Sequence, residues 1–298
     1  MKLQLSRLDA LLLMMTIIWG GNYSVIKSAL DEIPPIAFNG LRLALASVIF
    51  IVLIRAWESR TGPLPWLGIT ALALVNHTIY QLLFISALAR TSVANSSLII
   101  ACTPILVALI TAVRGRDVVT RWQWAGTLLS AFGIYLVVGR AARVAGESIA
   151  GDLMMLGAVV CWATSTVASR RLLARHSPLV ITGYSMAIGS AFYLPFAWPS
   201  LAAQSWRHVG AHAWTALILS AVFALCVAYV IWFTAVQRIG NTRTAIYSNM
   251  VPIAAMVVAW TWLGERPGPI KIAGAAAIVL GVALTKIQPE KTPVPEPA

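Results

Sequence analysis

The sequence predicts an all-α integral membrane protein, with ten transmembrane helices arranged as two inverted five-helix repeats around a central cavity. Three observations carry that prediction: the composition, a series of apolar windows of bilayer length, and a self-match at a nearly fixed offset. Of the 298 residues 59% are hydrophobic and 11% charged, with a mean hydropathy of +0.81; soluble domains run near about 25% charged.

Crossing hydrocarbon takes about 20 apolar residues in a helix. Such windows fall near 9–29, 35–55, 66–88, 92–113 and 122–139, and again near 152–173, 178–198, 213–236, 243–263 and 270–286. Little chain is left between them, so no soluble catalytic or ligand-binding domain is expected. The first window lacks a signal-peptide cleavage pattern and is read as retained. The Pro-rich segment 289–298 reads as a disordered cytoplasmic tail.

The formal charge is +12, but in a membrane chain the placement of Lys and Arg sets orientation. With the N-terminus in the cytoplasm, fourteen basic residues lie inside, seven outside and Arg42 within a span. Both termini are therefore expected in the cytoplasm. The basic surplus reads as a topology signal and an attraction to anionic lipid, not as a nucleic-acid surface. Cys102, Cys161 and Cys226 fall in apolar spans without CxxC spacing and read as packing residues. No metal or cofactor is expected; the partners are a small-molecule substrate and the bilayer, with monomer and homodimer both open.

An offset of 143 pairs Asp9 with Asp152, Trp19 with Trp162, Lys27 with Arg170, Pro35 with Pro178 and Gly40 with Gly183. An offset of 148 then pairs Arg90 with Arg238, Pro104 with Pro252, Gly126 with Gly274 and Gly133 with Gly281. The expected repeats are 1–143 and 144–288. Because five is odd, the second copy enters the membrane from the opposite side, an arrangement that alternating-access carriers use.

The paired openings WGGNYSVIK and WATSTVASR, the segment PPIAFNGLRLALA, and NMVPIAAMVVAWTWLGERP followed by IKIAGAAAIVLG carry a family likeness. On these the chain resembles the EamA-type branch of the drug/metabolite transporter superfamily, and within it the YddG amino-acid exporters. The resemblance implies ten helices, a central cavity and export of metabolites from a bacterial inner membrane. One departure stands out: the ninth span ends in LGERP, whereas the fourth ends in VRGRD and lacks the glutamate.

Polar residues in hydrocarbon are tolerated where they face protein or a cavity, so they mark the interior. In the first span Trp19, Asn22 and Tyr23 sit at i, i+3 and i+4, with Gly20 and Gly21 beside them admitting a ligand or a close helix. The sixth span repeats the pattern with Trp162, Ser165 and Thr166. The third span gives Asn76 and Tyr80 on one face with His77, Gln81 and Phe84 beside it, and its repeat partner supplies Tyr229 and Trp232. In the fourth and ninth spans Asn95, Tyr247 and Asn249 precede Pro104 and Pro252, which should kink or open their helices as hinges. Substrate-binding and helix-gluing roles both fit the small polar residues.

Lys27 and Arg42 read as outer-side charges. Snorkelling or pairing of Arg42 with Asp31 or Glu32 is favoured over contact with a substrate carboxylate. The acidic residues fall at ends, loops and tails, which leaves His77 alone for a proton relay. The expected activity is a secondary transporter, chiefly a facilitator, exporting amino acids, aromatic and other neutral ones among them, or related metabolites. Proton-coupled drug or metabolite efflux is the alternative. An integral-membrane enzyme is not expected, since neither HExxH nor GxSxG occurs. With no charge foreseen in the interior, strongly ionic substrates are not expected either.

Overall fold

The structure is a computed structural model and describes residues 6–58, 62–91, 96, 99–100, 102–113, 119–138, 149–254, 256–257 and 268–285. Its helices are α1 (Arg7–Ala29), α2 (Pro35–Trp57), α3 (Trp66–Arg90), α4 (Thr103–Val113), α5 (Arg121–Val138), α6 (Ile149–Leu173), α7 (Pro178–Ala203), α8 (Ala211–Ile239), α9 (Asn241–Ile246) and α10 (Pro269–Leu284). Six of them, α1, α2, α3, α6, α7 and α8, are long and apolar enough to cross a membrane, and α4 and α10 are shorter apolar helices.

Local chemistry sets the starts. Ser6 and Asp9 form a capping box at α1: Asp9 N–H donates to Ser6 Oγ at 3.2 Å and Ser6 N–H to Asp9 Oδ2 at 2.8 Å, which satisfies two backbone donors the helix would leave open. Pro35, Pro178 and Pro269 occupy first turns, where a missing N–H costs nothing. In α7 the side chain of Ser177 adds an N-cap for Val180 N–H.

α3 and α8 each contain a turn that widens from α to π geometry, over Leu74–Ile79 and Ser220–Val227. A π-turn carries one more residue than an α-turn and rotates every side chain beyond it. That rotation corrects the sequence reading of α3, as the site geometry shows.

The helices pack through small residues. A Cβ on Gly40 would fall 2.8 Å from Ala197 Cβ and 3.6 Å from Tyr193, and one on Gly183 would meet Phe50 and Ile54. As numbers rise along α2 they fall along α7, so the two run antiparallel. The same holds for α5 and α10. A Cβ on Gly133 would lie 2.6 Å from the carbonyl oxygen of Gly274, and one on Gly281 would press on the backbone of Gly126 and Ser130. Close backbone approach through glycine is how helices adhere where lipid removes the hydrophobic drive.

Pro104 and Pro252 do not sit in the middle of described helices. Each is the second residue of a helical run, α4 and residues 251–254 respectively, and the second run follows a tight 3-10 turn at Tyr247–Met250. The run of Pro252 follows the 3-10 turn directly, and the run of Pro104 follows the turn at Cys102.

The glycine contacts give a prediction. Gly133→Val should clash with the Gly274 backbone and cost about 1–3 kcal/mol, seen as a lower melting temperature and lost monodispersity in detergent. Gly21 has nothing within 4 Å of its notional Cβ, so Gly21→Ala should leave melting unchanged or raise it.

Candidate functional site

Midway along the bundle lies a cavity walled by α1, α2, α3, α4, α6 and α8. α1 contributes Trp19, Asn22 and Tyr23 at one face, as i, i+3, i+4 spacing requires. α3 contributes Tyr80, Gln81 and Phe84, α6 Trp162, and α8 Leu225 and Tyr229. Arg42 of α2, Thr103 of α4 and Ser248, in the turn after α9, add to the polar part of the wall.

The floor of the cavity is aromatic. Trp19 and Trp162 meet edge to face with ring centroids 5.5 Å apart, and Trp162 lies 5.2 Å from each of Tyr80, Tyr229 and Trp232. Tyr80 in turn stacks on Phe84 at 5.6 Å. Such pairs contribute about 0.5–1.5 kcal/mol each beyond area burial. Trp19 is also pinned by its indole N–H, which donates to the carbonyl of Ala224 at 3.2 Å inside the π-turn of α8.

Polar groups around this floor form a connected chain. Arg42 Nη1 donates to Ser220 Oγ at 2.9 Å, and Ser220 donates onward to Asn22 Oδ1 at 2.6 Å. Arg42 Nη2 donates to Gln81 Oε1 at 3.1 Å, and Gln81 Nε2 donates to the Tyr229 hydroxyl at 3.1 Å. Four helices are thereby joined through one guanidinium.

This corrects two expectations. Arg42 neither snorkels nor pairs with Asp31 or Glu32; it is 1% exposed, and Glu32 instead accepts the backbone N–H of Gly210. The interior also holds a charge, so the argument against ionic substrates loses its premise. Lys27 lies in the last turn of α1, donating to the Thr91 carbonyl at 3.1 Å.

The π-turn of α3 separates residues that an uninterrupted helix would align. Tyr80 and Gln81 reach the cavity, whereas Asn76 and His77 are fully buried away from it. His77 Nε2 lies 3.1 Å from Ser185 Oγ and 3.4 Å from Asn76 Nδ2, and Asn76 Oδ1 accepts from Ser165 at 2.9 Å. These three expected site residues, Asn76, His77 and Ser165, join α3 to α6 and α7.

Trp232 is likewise buried, 5.4 Å from Trp19 and supporting the floor from behind. Tyr247 donates to the Asp9 carboxylate, and Asn249 is buried with no hydrogen-bond partner for its side-chain amide among the described residues; neither lines the cavity. Gly20 is buried in α1. Asn95 lies outside the described residues.

Ser220 carried no expectation. Ser220 sits in an otherwise apolar stretch, and only the π-turn brings its hydroxyl to Arg42.

The chain belongs to the EamA-like transporter family, whose model matches it twice, over residues 7–139 and 149–287. It is a multi-pass membrane protein. Among curated relatives, an uncharacterized transporter of Archaeoglobus fulgidus is 28% identical over 285 residues, covering 94% of this chain and 97% of its own. A protein of Streptantibioticus cattleyicolor named "Probable terminal-alkyne amino-acid exporter" is 26% identical, covering 95% and 94%. A solved structure titled "Crystal structure of protein" superposes with a TM-score of 0.78 at 20% identity, covering 95% of this chain and 99% of that one, a likeness of fold alone.

The hydrogen-bond chain sets an order of mutational cost. Tyr229→Phe removes one acceptor and should cost about 0.5–1.5 kcal/mol. Gln81→Leu strips a buried cation of a partner and should cost more, about 1.5–3 kcal/mol. Thermal unfolding of the two variants in detergent checks the order.

Proposed function

We propose that this protein is an alternating-access carrier exporting amino acids, aromatic and other neutral ones among them, or closely related metabolites, from a bacterial cell across its inner membrane. On this reading both termini are cytoplasmic. The halves 1–143 and 144–288 are related by a two-fold axis in the membrane plane, and the aromatic-floored cavity on that axis is the substrate site.

The observation that carries the reading is an exchange of contacts between repeat-equivalent residues. At a two-fold contact residue i of one unit meets residue j of the other, and j meets i in return. Gly40 meets Tyr193 and Ala197, while its equivalent Gly183 meets Phe50 and Ile54, the equivalents of Tyr193 and Ala197 at an offset of 143. In the same way Gly133 meets Gly274, the equivalent of Gly126, and Gly281, the equivalent of Gly133, meets Gly126.

Residues on such an axis must touch their own counterparts. Trp19 and Trp162 do so across an offset of 143, and Gln81 with Tyr229 and Ser130 with Ile278 do so across 148. Antiparallel packing of α2 on α7 and of α5 on α10 supports an axis perpendicular to the helices, as an axis in the membrane plane would be. Inverted halves of this kind can rock about a central site to expose it on alternate faces.

The substrate class draws on the site and on the amino-acid exporter among the relatives. Aromatic faces suit an apolar body, and the polar chain through Asn22, Gln81 and Arg42 suits a charged or hydrogen-bonding head. Loose aromatic walls favour broad specificity with affinity near about 4 kcal/mol, that is near 1 mM. A facilitator fits better than a proton-coupled pump, because His77 faces Ser185 and Asn76 instead of the cavity, and no carboxylate lines the cavity among the described residues.

Reconstituted protein should show saturable counterflow of labelled phenylalanine without a pH gradient, and Trp162→Ala should reduce it at least tenfold while the protein stays monodisperse. Phenylalanine accumulation that appears only with an imposed pH gradient would identify proton coupling instead.

A further inference from the structure

Among the described residues, Arg42 is a buried cation without an anion. Both of its bonded partners, Ser220 and Gln81, are neutral, and the ionisable groups facing it are the phenols of Tyr80, Tyr193 and Tyr229. Its Nε has no hydrogen-bond partner among the described residues. A guanidinium carries five N–H donors, of which two are used.

Withdrawing an ion from water costs several kcal/mol unless a counter-charge or full hydrogen bonding offsets it. Bridging helices needs no charge; a neutral amide bonds Ser220 and Gln81 as well. The repeat-equivalent position shows this, for at an offset of 143 Arg42 corresponds to Ser185, which holds its half to α3 through His77 with a hydroxyl. The charge is therefore an addition to one half, and it lies in the wall of the cavity.

Resting on the reading of that cavity as the substrate site, we infer that Arg42 is the receptor for a substrate carboxylate, and that the substrates are monoanionic acids with an apolar or aromatic body. A planar guanidinium with free donors matches the two oxygens of a carboxylate. Seating a monoanion brings the site from one positive charge to neutrality, with the body on Trp19, Trp162 and Tyr80. Seating a zwitterion leaves one positive charge, because the described walls contain no carboxylate to meet the α-ammonium; only ring faces can receive it. An amino acid is thus tolerated, but its amino group is not required.

Equilibrium dialysis of the full-length protein in detergent tests this with three labelled ligands of one shape: phenylalanine, 3-phenylpropionate, which lacks the amine, and 2-phenylethylamine, which lacks the carboxylate. 3-Phenylpropionate should bind at least as tightly as phenylalanine, and 2-phenylethylamine at least tenfold more weakly. Arg42→Gln should bring acid and amine within twofold of each other, and Arg42→Lys should keep the preference in part. The wild-type comparison decides even if a variant fails to fold.

The inference is overturned if the amine binds wild type within twofold of the acid, or if neither carboxylate binds. The outcomes separate it from the export reading. Counterflow of phenylalanine with no binding of 3-phenylpropionate removes the inference and leaves the exporter. Tight binding of 3-phenylpropionate without counterflow of phenylalanine keeps Arg42 as a carboxylate receptor and removes amino acids as cargo.

Discussion

Hydrocarbon offers no hydrogen bonds, so each polar group placed inside a membrane protein must find its partner on another part of the same chain. That constraint organises this molecule. Around Arg42 the groups of α1, α2, α3 and α8 close on one another through Asn22, Ser220, Gln81 and Tyr229. A second set, Asn76, His77, Ser165 and Ser185, fastens α3 to α6 and α7. Individual bonds of this type average only about 0.6 kcal/mol in a membrane, because the unfolded helices also find partners. Their larger effect is on position: few helix arrangements satisfy all of them together.

Aromatic packing supplies what the polar bonds do not. Trp19, Trp162, Tyr229 and Trp232 meet in mutually tilted or edge-to-face pairs, a cluster held rigid by ring shape and by the Trp19–Ala224 bond. Trp19, Trp162 and Tyr229 of this cluster line the cavity, as do Asn22, Arg42 and Gln81 of the hydrophilic chain. The result is a chamber with an apolar floor and a single charged wall, built from residues far apart in the chain.

The sequence made much of this readable, through signals that follow from helix geometry. Window length and composition located the long helices, and prolines in first turns, Pro35 and Pro178, marked where two of them begin. The spacing of Trp19, Asn22 and Tyr23 put all three at the cavity because α1 is an uninterrupted α-helix there. The same reasoning misplaced Asn76, since the π-turn between Leu74 and Ile79 breaks the period on which it depends. Nothing in LVNHTI declares such a turn. Arg42 failed for another reason: depth in the bilayer was inferred from the nearest span end, whereas its side chain is drawn inward by Gln81 and Ser220, one of which enters through the other π-turn. Ser220 was invisible for that reason too.

The crossing of α5 on α10 has a consequence for motion. At Gly126, Gly133, Gly274 and Gly281 main chain approaches main chain closely, with the side chains of Ser130, Ile278 and Thr285 packed into the same points. Sliding or rolling there would drive carbonyl oxygens into Cα atoms, so the two helices can only travel together, like spars welded at a joint. Whatever rearrangement the bundle undergoes must take place around this pair and leave it whole.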